Sequence, residues 1–259
     1  MFKRVIARCN RFGIEIVPLP CPETLYLGPD RIPGTFLERL NTSEFADIMD
    51  NLELQVKAVI DEKGPPLCIL GVNSSPTCGV TSTYYGSEDQ QPPKRMGRGV
   101  FIALFPEIKA IDVKTFSQYH VYLAAPLFSE GERAYNLSIA GYLRNNFFEV
   151  YLPQESGDDC PARNKNEQVR IFSENVKALN NADIIVAIID GADADSGTSW
   201  EMGYAYAQGK QIIALRTDFR RSGNCEKVNL MLEESATVVT ERENLLLAIK
   251  SPLIIKCDS

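Results

Sequence analysis

Apolar and polar positions along the chain predict short buried strands separated by amphipathic helices. Residues 14–19 and 67–72 are apolar runs of strand length. Between them Phe45, Ile48, Met49, Leu52, Val56, Val59 and Ile60 recur at three- and four-residue spacing, which predicts a helix begun near Thr42 or Ser43. Gly64-Pro65-Pro66 stops it. Residues 86–99 are polar and rich in Pro and Gly, so a long loop is expected there.

From about residue 120 the pattern alternates strand and helix. Residues 120–125 read as a strand, and Ser129-Glu130-Gly131-Glu132 has capping-box spacing and opens a helix to about Asn145. Residues 149–152 are the next strand, followed by a loop through Gly157, Cys160 and Pro161. Phe172, Val176 and Leu179 form a helical stripe, and residues 183–190 form a strand apolar on both faces. Thr198-Ser199-Trp200-Glu201 is a second capping-box pattern, opening a helix that Gly209 ends. Residues 211–215 and 237–239 complete the strands, and Thr240-Glu241-Arg242-Glu243 opens a last helix. Helices between continuously apolar strands predict an α/β fold with a parallel sheet covered on both faces. The chain divides on this reading into a smaller α/β domain at 1–112 and a second domain at 113–259.

Composition narrows the chemistry. A net charge of −7 argues against a nucleic acid polymer as partner, although Arg216, Arg220 and Arg221 could form a local basic patch. No apolar run approaches the ~20 residues that span a bilayer, and the N-terminus lacks the pattern of a signal peptide, so a cytoplasmic protein is expected. Seven irregularly spaced cysteines do not suggest a disulfide framework. The single histidine, His120, leaves no His-rich metal site and reads as structural. Acid–base work therefore falls to carboxylates.

Ligands of open α/β sheets bind at the carboxyl ends of strands. Tyr122 lies in the first strand of the second domain, before Ala124-Ala125-Pro126-Leu127-Phe128. Asp190 closes the third strand and leads into Gly191-Ala192-Asp193-Ala194-Asp195-Ser196-Gly197-Thr198, a small acidic loop before the helix bearing Glu201. The string over 190–210, with the Tyr122 strand ahead of it, resembles the core motif of the nucleoside 2-deoxyribosyltransferase family, and the likeness runs from about Tyr122 to Met231. The resemblance implies a flavodoxin/Rossmann-like sheet and transfer of a 2-deoxyribosyl group between nucleobases. It makes Glu201 the nucleophile, Tyr122 the residue that orients it, and Asp195 a nucleobase contact that helps protonate the leaving base. Asn175, Gly197, Asn229 and Met231 become substrate-binding residues. Asn175 stands where some members have an aspartate, and an amide cannot act as an acid. Asn229 and Met231 fall in a segment that reaches a neighbouring subunit's site, so a homo-oligomer with shared active sites is implied. The partners implied are 2'-deoxynucleosides and free nucleobases, with no cofactor, metal or membrane.

The chemistry suits such a chain. A glutamate of ordinary pKa, about 4.3, is ionised at neutral pH and needs no partner base. It can form a glycosyl-enzyme intermediate that a second base intercepts. The competing reading of Glu201 is a helix-capping carboxylate worth roughly 1 kcal/mol. Tyr122 could be a core tyrosine, Asn229 a loop residue, and Asp183 and Asp190 turn residues. A nucleoside or nucleotide N-glycosidase and a non-catalytic nucleotide-binding sensor are the alternatives for the domain as a whole.

In the first domain, Cys21-Pro22-Glu23 and Ser75-Pro76-Thr77-Cys78-Gly79 follow the two apolar runs. They resemble motifs of a thiouracil-desulfurase-related domain in which three cysteines hold an iron–sulfur cluster. Cys21 and Cys78 match two of them. The third would have to be Cys9, in a predicted helix, or Cys68, in a predicted strand. A truncated, cluster-free domain with a structural or oligomerisation role is therefore expected, with a surviving cluster or thiol site at Cys21 and Cys78 as the alternative.

Overall fold

The computed structural model describes residues 1–86, 93–156, 164–220 and 228–249. The chain forms two compact units, Met1–Ser117 and Gln118–Ser259.

The first unit opens with helix α1 (Phe2–Phe12), closed by Gly13 in the left-handed conformation. Residues 14–19 do not form the expected strand: they run without regular structure, with Ile16 and Val17 exposed. Pro18 and Pro20 each lack the N–H that a ladder needs, which explains the difference. Helices α2 (Pro22–Leu27) and α3 (Phe36–Arg39) follow, the latter opened by a Thr35–Glu38 capping box. Helix α4 (Ser43–Lys63) is where the apolar stripe places it. Thr42 accepts a hydrogen bond from the Phe45 amide, and Phe45, Met49, Leu52 and Val56 are buried. Strand β1 (Ile69–Gly71) pairs in parallel with β4 (Ala110–Asp112), which runs into helix α5 (Val113–Phe116). Strands β2 (Ser82–Tyr84) and β3 (Lys94–Met96) form an antiparallel pair. The expected loop at 86–99 thus contains a strand, although residues 87–92 lie outside the described set. Lys94-Arg95-Met96 is exposed at every position, so burial pattern alone gave no sign of it.

The second unit is a parallel sheet. Its strands are β5 (His120–Ala124), β6 (Glu149–Tyr151), β7 (Ile184–Ile188), β8 (Gln211–Leu215) and β9 (Thr237–Val239), in the order β6-β5-β7-β8-β9. Every pair is parallel. The order is the flavodoxin-like one: the chain steps from β5 outward to β6, then crosses back to β7. Right-handed crossovers then put helix α6 (Glu130–Asn145) on one face and α8 (Lys165–Asn181) and α9 (Ser196–Ala207) on the other. The short helices α7 (Pro153–Ser156), α10 (Leu230–Ser235) and α11 (Leu245–Ala248) complete the unit. All five residues of β7 are buried.

Alternation along the strands sends Tyr122, Ala124, Ile185, Ala187, Ile212 and Ala214 toward α8 and α9, where they pack with Leu179, Met202 and Ala205. The Ser129–Glu132 capping box forms as predicted. Two others do not. Thr198–Glu201 is displaced because Asp195 caps α9. Residues 240–243 lead instead into a 3-10 turn (Arg242–Asn244) whose N-cap, Glu241, makes no side-chain cap, with Glu243 paired to Arg242.

Candidate active site

The switch point between β5 and β7 is where this fold opens a crevice, and the side chains there converge. Tyr122 on β5 is fully buried. After β7 the chain turns at Gly191, whose φ of 116° favours glycine. That turn is clamped to the end of β8 from both sides. Asp190 accepts hydrogen bonds from the Thr217 amide (2.6 Å), the Thr217 hydroxyl (2.6 Å) and the Asp218 amide (2.8 Å). Asp218 accepts from the Gly191 amide at 3.2 Å. Arg216, 3% exposed, donates to the carbonyls of Ile189 (2.6 Å), Gly191 (3.1 Å) and Arg220 (3.0 Å). The basic patch expected at Arg216, Arg220 and Arg221 is therefore corrected. Arg216 is interior, Arg220 is paired with Asp218, and Arg221 lies outside the described residues.

The clamped turn delivers Asp195 as the N-cap of α9. Its carboxylate accepts from the Thr198 amide at 2.9 Å and the Thr198 hydroxyl at 3.2 Å. A side chain at Gly197 would bring its Cβ to 3.1 Å from that same carboxylate oxygen, so the glycine keeps the cap open. With Asp195 as cap, Glu201 stands in the second turn, not at a capping position. Its carboxylate instead accepts a short hydrogen bond from the Tyr122 hydroxyl. The capping explanation of Glu201 is thereby removed.

Burial pushes the Glu201 carboxyl up to about 7, the Tyr122 hydrogen bond opposes that push, and the charge of Asp195 adds to it. The expectation of an ordinary, fully ionised glutamate is corrected accordingly. Tyr122 is held well above the usual phenol range by burial and by the neighbouring Glu201 charge, so it stays a donor.

Asn175, on α8, accepts a hydrogen bond from the Tyr151 hydroxyl at 2.9 Å. Tyr151 in turn stacks on Tyr122, with ring centroids 5.4 Å apart and planes 19° apart. Tyr151 was not among the residues singled out from sequence. The signal was present: Tyr122, mid-way along β5, and Tyr151, at the end of β6, are register partners in adjacent parallel strands and so lie on one face.

Asn229 and Met231 lie elsewhere. Asn229 caps α10 by accepting from the Met231 amide at 3.0 Å, and Met231 is 75% exposed. Both line a cavity of about 550 Å³ together with Asp193, Ser199, Gly203 and Tyr206. Ser199, Gly203 and Tyr206 share one face of α9, opposite Glu201. The cavity is therefore not the space around the Tyr122–Glu201 pair. The structure brings together Tyr122, Glu201 and Asp195, with Asn175 joined through Tyr151, and it leaves Asn229 and Met231 across the helix.

His120 sits at the opposite, amino end of the sheet, with its Nδ1 3.3 Å from Asp183 and its Nε2 3.6 Å from Glu149. Asp183 accepts from the Tyr119 and His120 amides, each at 3.1 Å, as a turn residue does.

In the first unit Glu23 joins the two cysteine-bearing motifs, accepting from the Ser75 and Thr77 hydroxyls at 2.9 Å each. Arg31 reaches both Glu23 (3.3 Å) and the Cys21 sulfur (3.6 Å). Among the described residues no group of three or more His, Cys, Asp or Glu side chains could hold a metal ion. Burial raises the Cys9 thiol and pushes Cys68 up to about 11, away from the thiolate that ligation requires. The described residues do not fit an iron–sulfur cluster.

Strand order and the buried Tyr122–Glu201 pair define the second unit as a doubly wound α/β domain with a glutamate near its switch point. Residues 121–240 match the model of the nucleoside 2-deoxyribosyltransferase family. Residues 2–125 match the model of a putative 2-thiouracil desulfurase. An uncharacterized protein of Ureaplasma parvum serovar 3 is 31% identical over 114 residues, 39% of this chain and 71% of that protein. Among solved structures, a 2-deoxyribosyltransferase of Bacillus psychrosaccharolyticus is 25% identical, covering 48% of this chain and 88% of its own, with a TM-score of 0.43. The Leishmania mexicana 2-desoxiribosyltransferase is 22% identical over 51% and 97%, with a TM-score of 0.42. A Clostridium botulinum CMP N-glycosidase is 20% identical over 48% and 92%, with a TM-score of 0.32. Among the described residues no helix is long and apolar enough to cross a membrane.

Proposed function

We propose that the second unit transfers a 2-deoxyribosyl group between nucleobases, with Glu201 as the nucleophile. The observation that carries the reading is the Tyr122–Glu201 hydrogen bond inside the switch-point crevice, made by a glutamate that has no capping duty. In the first step a Glu201 carboxylate oxygen attacks the anomeric carbon of a 2'-deoxynucleoside. The bond from that carbon to the base nitrogen breaks, and its electron pair leaves with the base. Asp195 contacts the base and, entering the step protonated, delivers its proton to the departing base; as a carboxylate it then takes the N–H proton of the incoming base in the second step. In the second step the nitrogen of another base attacks the same carbon, and the Glu201 carboxylate leaves. Two displacements give net retention. Tyr122 donates to Glu201 throughout and fixes the oxygen that attacks.

The nucleophile acts in its charged form, so transfer rises with pH through about 7, where Glu201 loses its proton. Asn175 and Gly197 border the ligand. Asn229 and Met231, which face away from Glu201 in their own chain, serve the site of a neighbouring copy in a homo-oligomer. The expected partners are 2'-deoxynucleosides and free nucleobases, in the cytoplasm. The test is incubation with deoxyinosine, with and without adenine, followed by chromatography. Deoxyadenosine formed only when adenine is present, and lost in Glu201→Ala, supports the reading. Free deoxyribose alone, or turnover retained in Glu201→Ala, overturns it.

A further inference from the structure

Tyr122 is the hydroxyl donor to Glu201, and Tyr151 is what lies against its ring. Among the described residues β6 is a three-residue strand at the edge of the sheet, with β5 as its one partner strand. An aromatic side chain at the end of such a strand has freedom to change rotamer unless something ties it. Here the tie is explicit: the Tyr151 hydroxyl donates to Asn175 Oδ1 at 2.9 Å, across to α8. The near-parallel stack then closes one face of the Tyr122 ring.

We infer that Tyr151 is a positioning residue of this site: stacked on Tyr122 and tethered to Asn175, it holds the Tyr122 hydroxyl on Glu201. The inference rests on the reading of Glu201 as nucleophile. It couples three elements that are distant in sequence, α8 through Asn175, β6 through Tyr151 and β5 through Tyr122, to a carboxylate on a fourth. The titratable groups acting on Glu201 are Tyr122 from β5 and Asp195 from the start of α9, and Tyr151 acts on Tyr122. The Tyr122 hydrogen bond favours the charged carboxylate. Loosening it therefore lets burial move Glu201 to a higher titration point.

Two variants separate the parts. Tyr151→Phe keeps the stack and removes the tether, and Tyr151→Leu removes both. In the intact protein, the side-chain carboxyl of Glu201 is titrated by carbon-13 NMR, its signal assigned with Glu201→Gln. Base exchange is measured across pH alongside. The titration point is expected to rise in both variants, more in Tyr151→Leu, and the acid limb of the rate profile to move with it. In Tyr151→Phe kcat falls about two- to tenfold, the range one neutral hydrogen bond carries, with KM within about twofold. A Glu201 titration unchanged in a folded Tyr151→Leu protein, or a change confined to KM, overturns the inference. If the parent protein exchanges no bases, the proposed function fails, and the NMR titrations still decide the role of Tyr151.

Discussion

Replacing Glu201 by Gln removes a charge from a site that disfavours it while keeping the shape and an oxygen for Tyr122 to donate to. Burial moves the carboxyl from its ordinary value of 4.5 to about 7. The folded state then holds the proton more tightly than the unfolded chain, so this contribution to stability is complete below about pH 4.5. It is lost as pH rises through about 7. At about 1.4 kcal/mol per pH step the loss above pH 7 comes to about 3 kcal/mol. At pH 5 it is under about 1 kcal/mol. Glu201→Gln should therefore be more stable than the parent at pH 8 by about 3 kcal/mol and nearly equal to it at pH 5. Urea denaturation followed through Trp200, the single tryptophan of the chain and a neighbour of Glu201 on α9, reads the second unit directly. A gap of the same size at both pH values, or a less stable Gln variant at pH 8, would refute the burial argument.

Other changes probe the surroundings of that carboxylate. Tyr122→Phe removes the donor that favours the charged form, so the acid limb of base exchange should move above pH 7 and the rate at pH 7 should drop. Asp195→Asn keeps a capping side chain but removes the charge that raises Glu201. Its rate profile should shift to lower pH and its maximum should fall, because the amide cannot protonate the leaving base, whereas Asp195→Ala should also cost about 1 kcal/mol of stability in the same denaturation assay. Arg216→Met leaves the Ile189, Gly191 and Arg220 carbonyls without their buried donor. A loss of about 3 kcal/mol follows, or about 10 °C in Tm by calorimetry, and a change under about 2 °C would contradict the clamp.

The fold of the second unit was legible because its central strands are largely apolar and its long helices carry caps. Residues 120–124 and 184–188 needed only their composition, and Ser129–Glu132 announced its helix. The start of α9 was harder. Asp195 and Thr198 are both capping types three residues apart, and only the observed hydrogen bonds show that Thr198 donates to Asp195 and does not cap in its own right. That register decides whether Glu201 is a cap or a site residue, so the motif pointed to the right glutamate with the wrong local reason. Residues 14–19 failed for a different cause: an apolar run with two nearby prolines has no ladder to join. The bonds from Arg216 to Ile189 and Gly191, those from Thr217 and Asp218 to Asp190, and the link from Asn175 to Tyr122 through Tyr151 join residues 24 or more positions apart and exist only once the sheet is assembled.

The central claim is that Glu201 takes the sugar. Acid-quenched mass spectrometry of the protein mixed with deoxyinosine and no acceptor base tests it most directly. The account predicts a 2-deoxyribosyl adduct on the peptide that contains Glu201, discharged when adenine is added and absent from Glu201→Gln. Base exchange proceeding with no adduct, or with an adduct on any other residue, would contradict it.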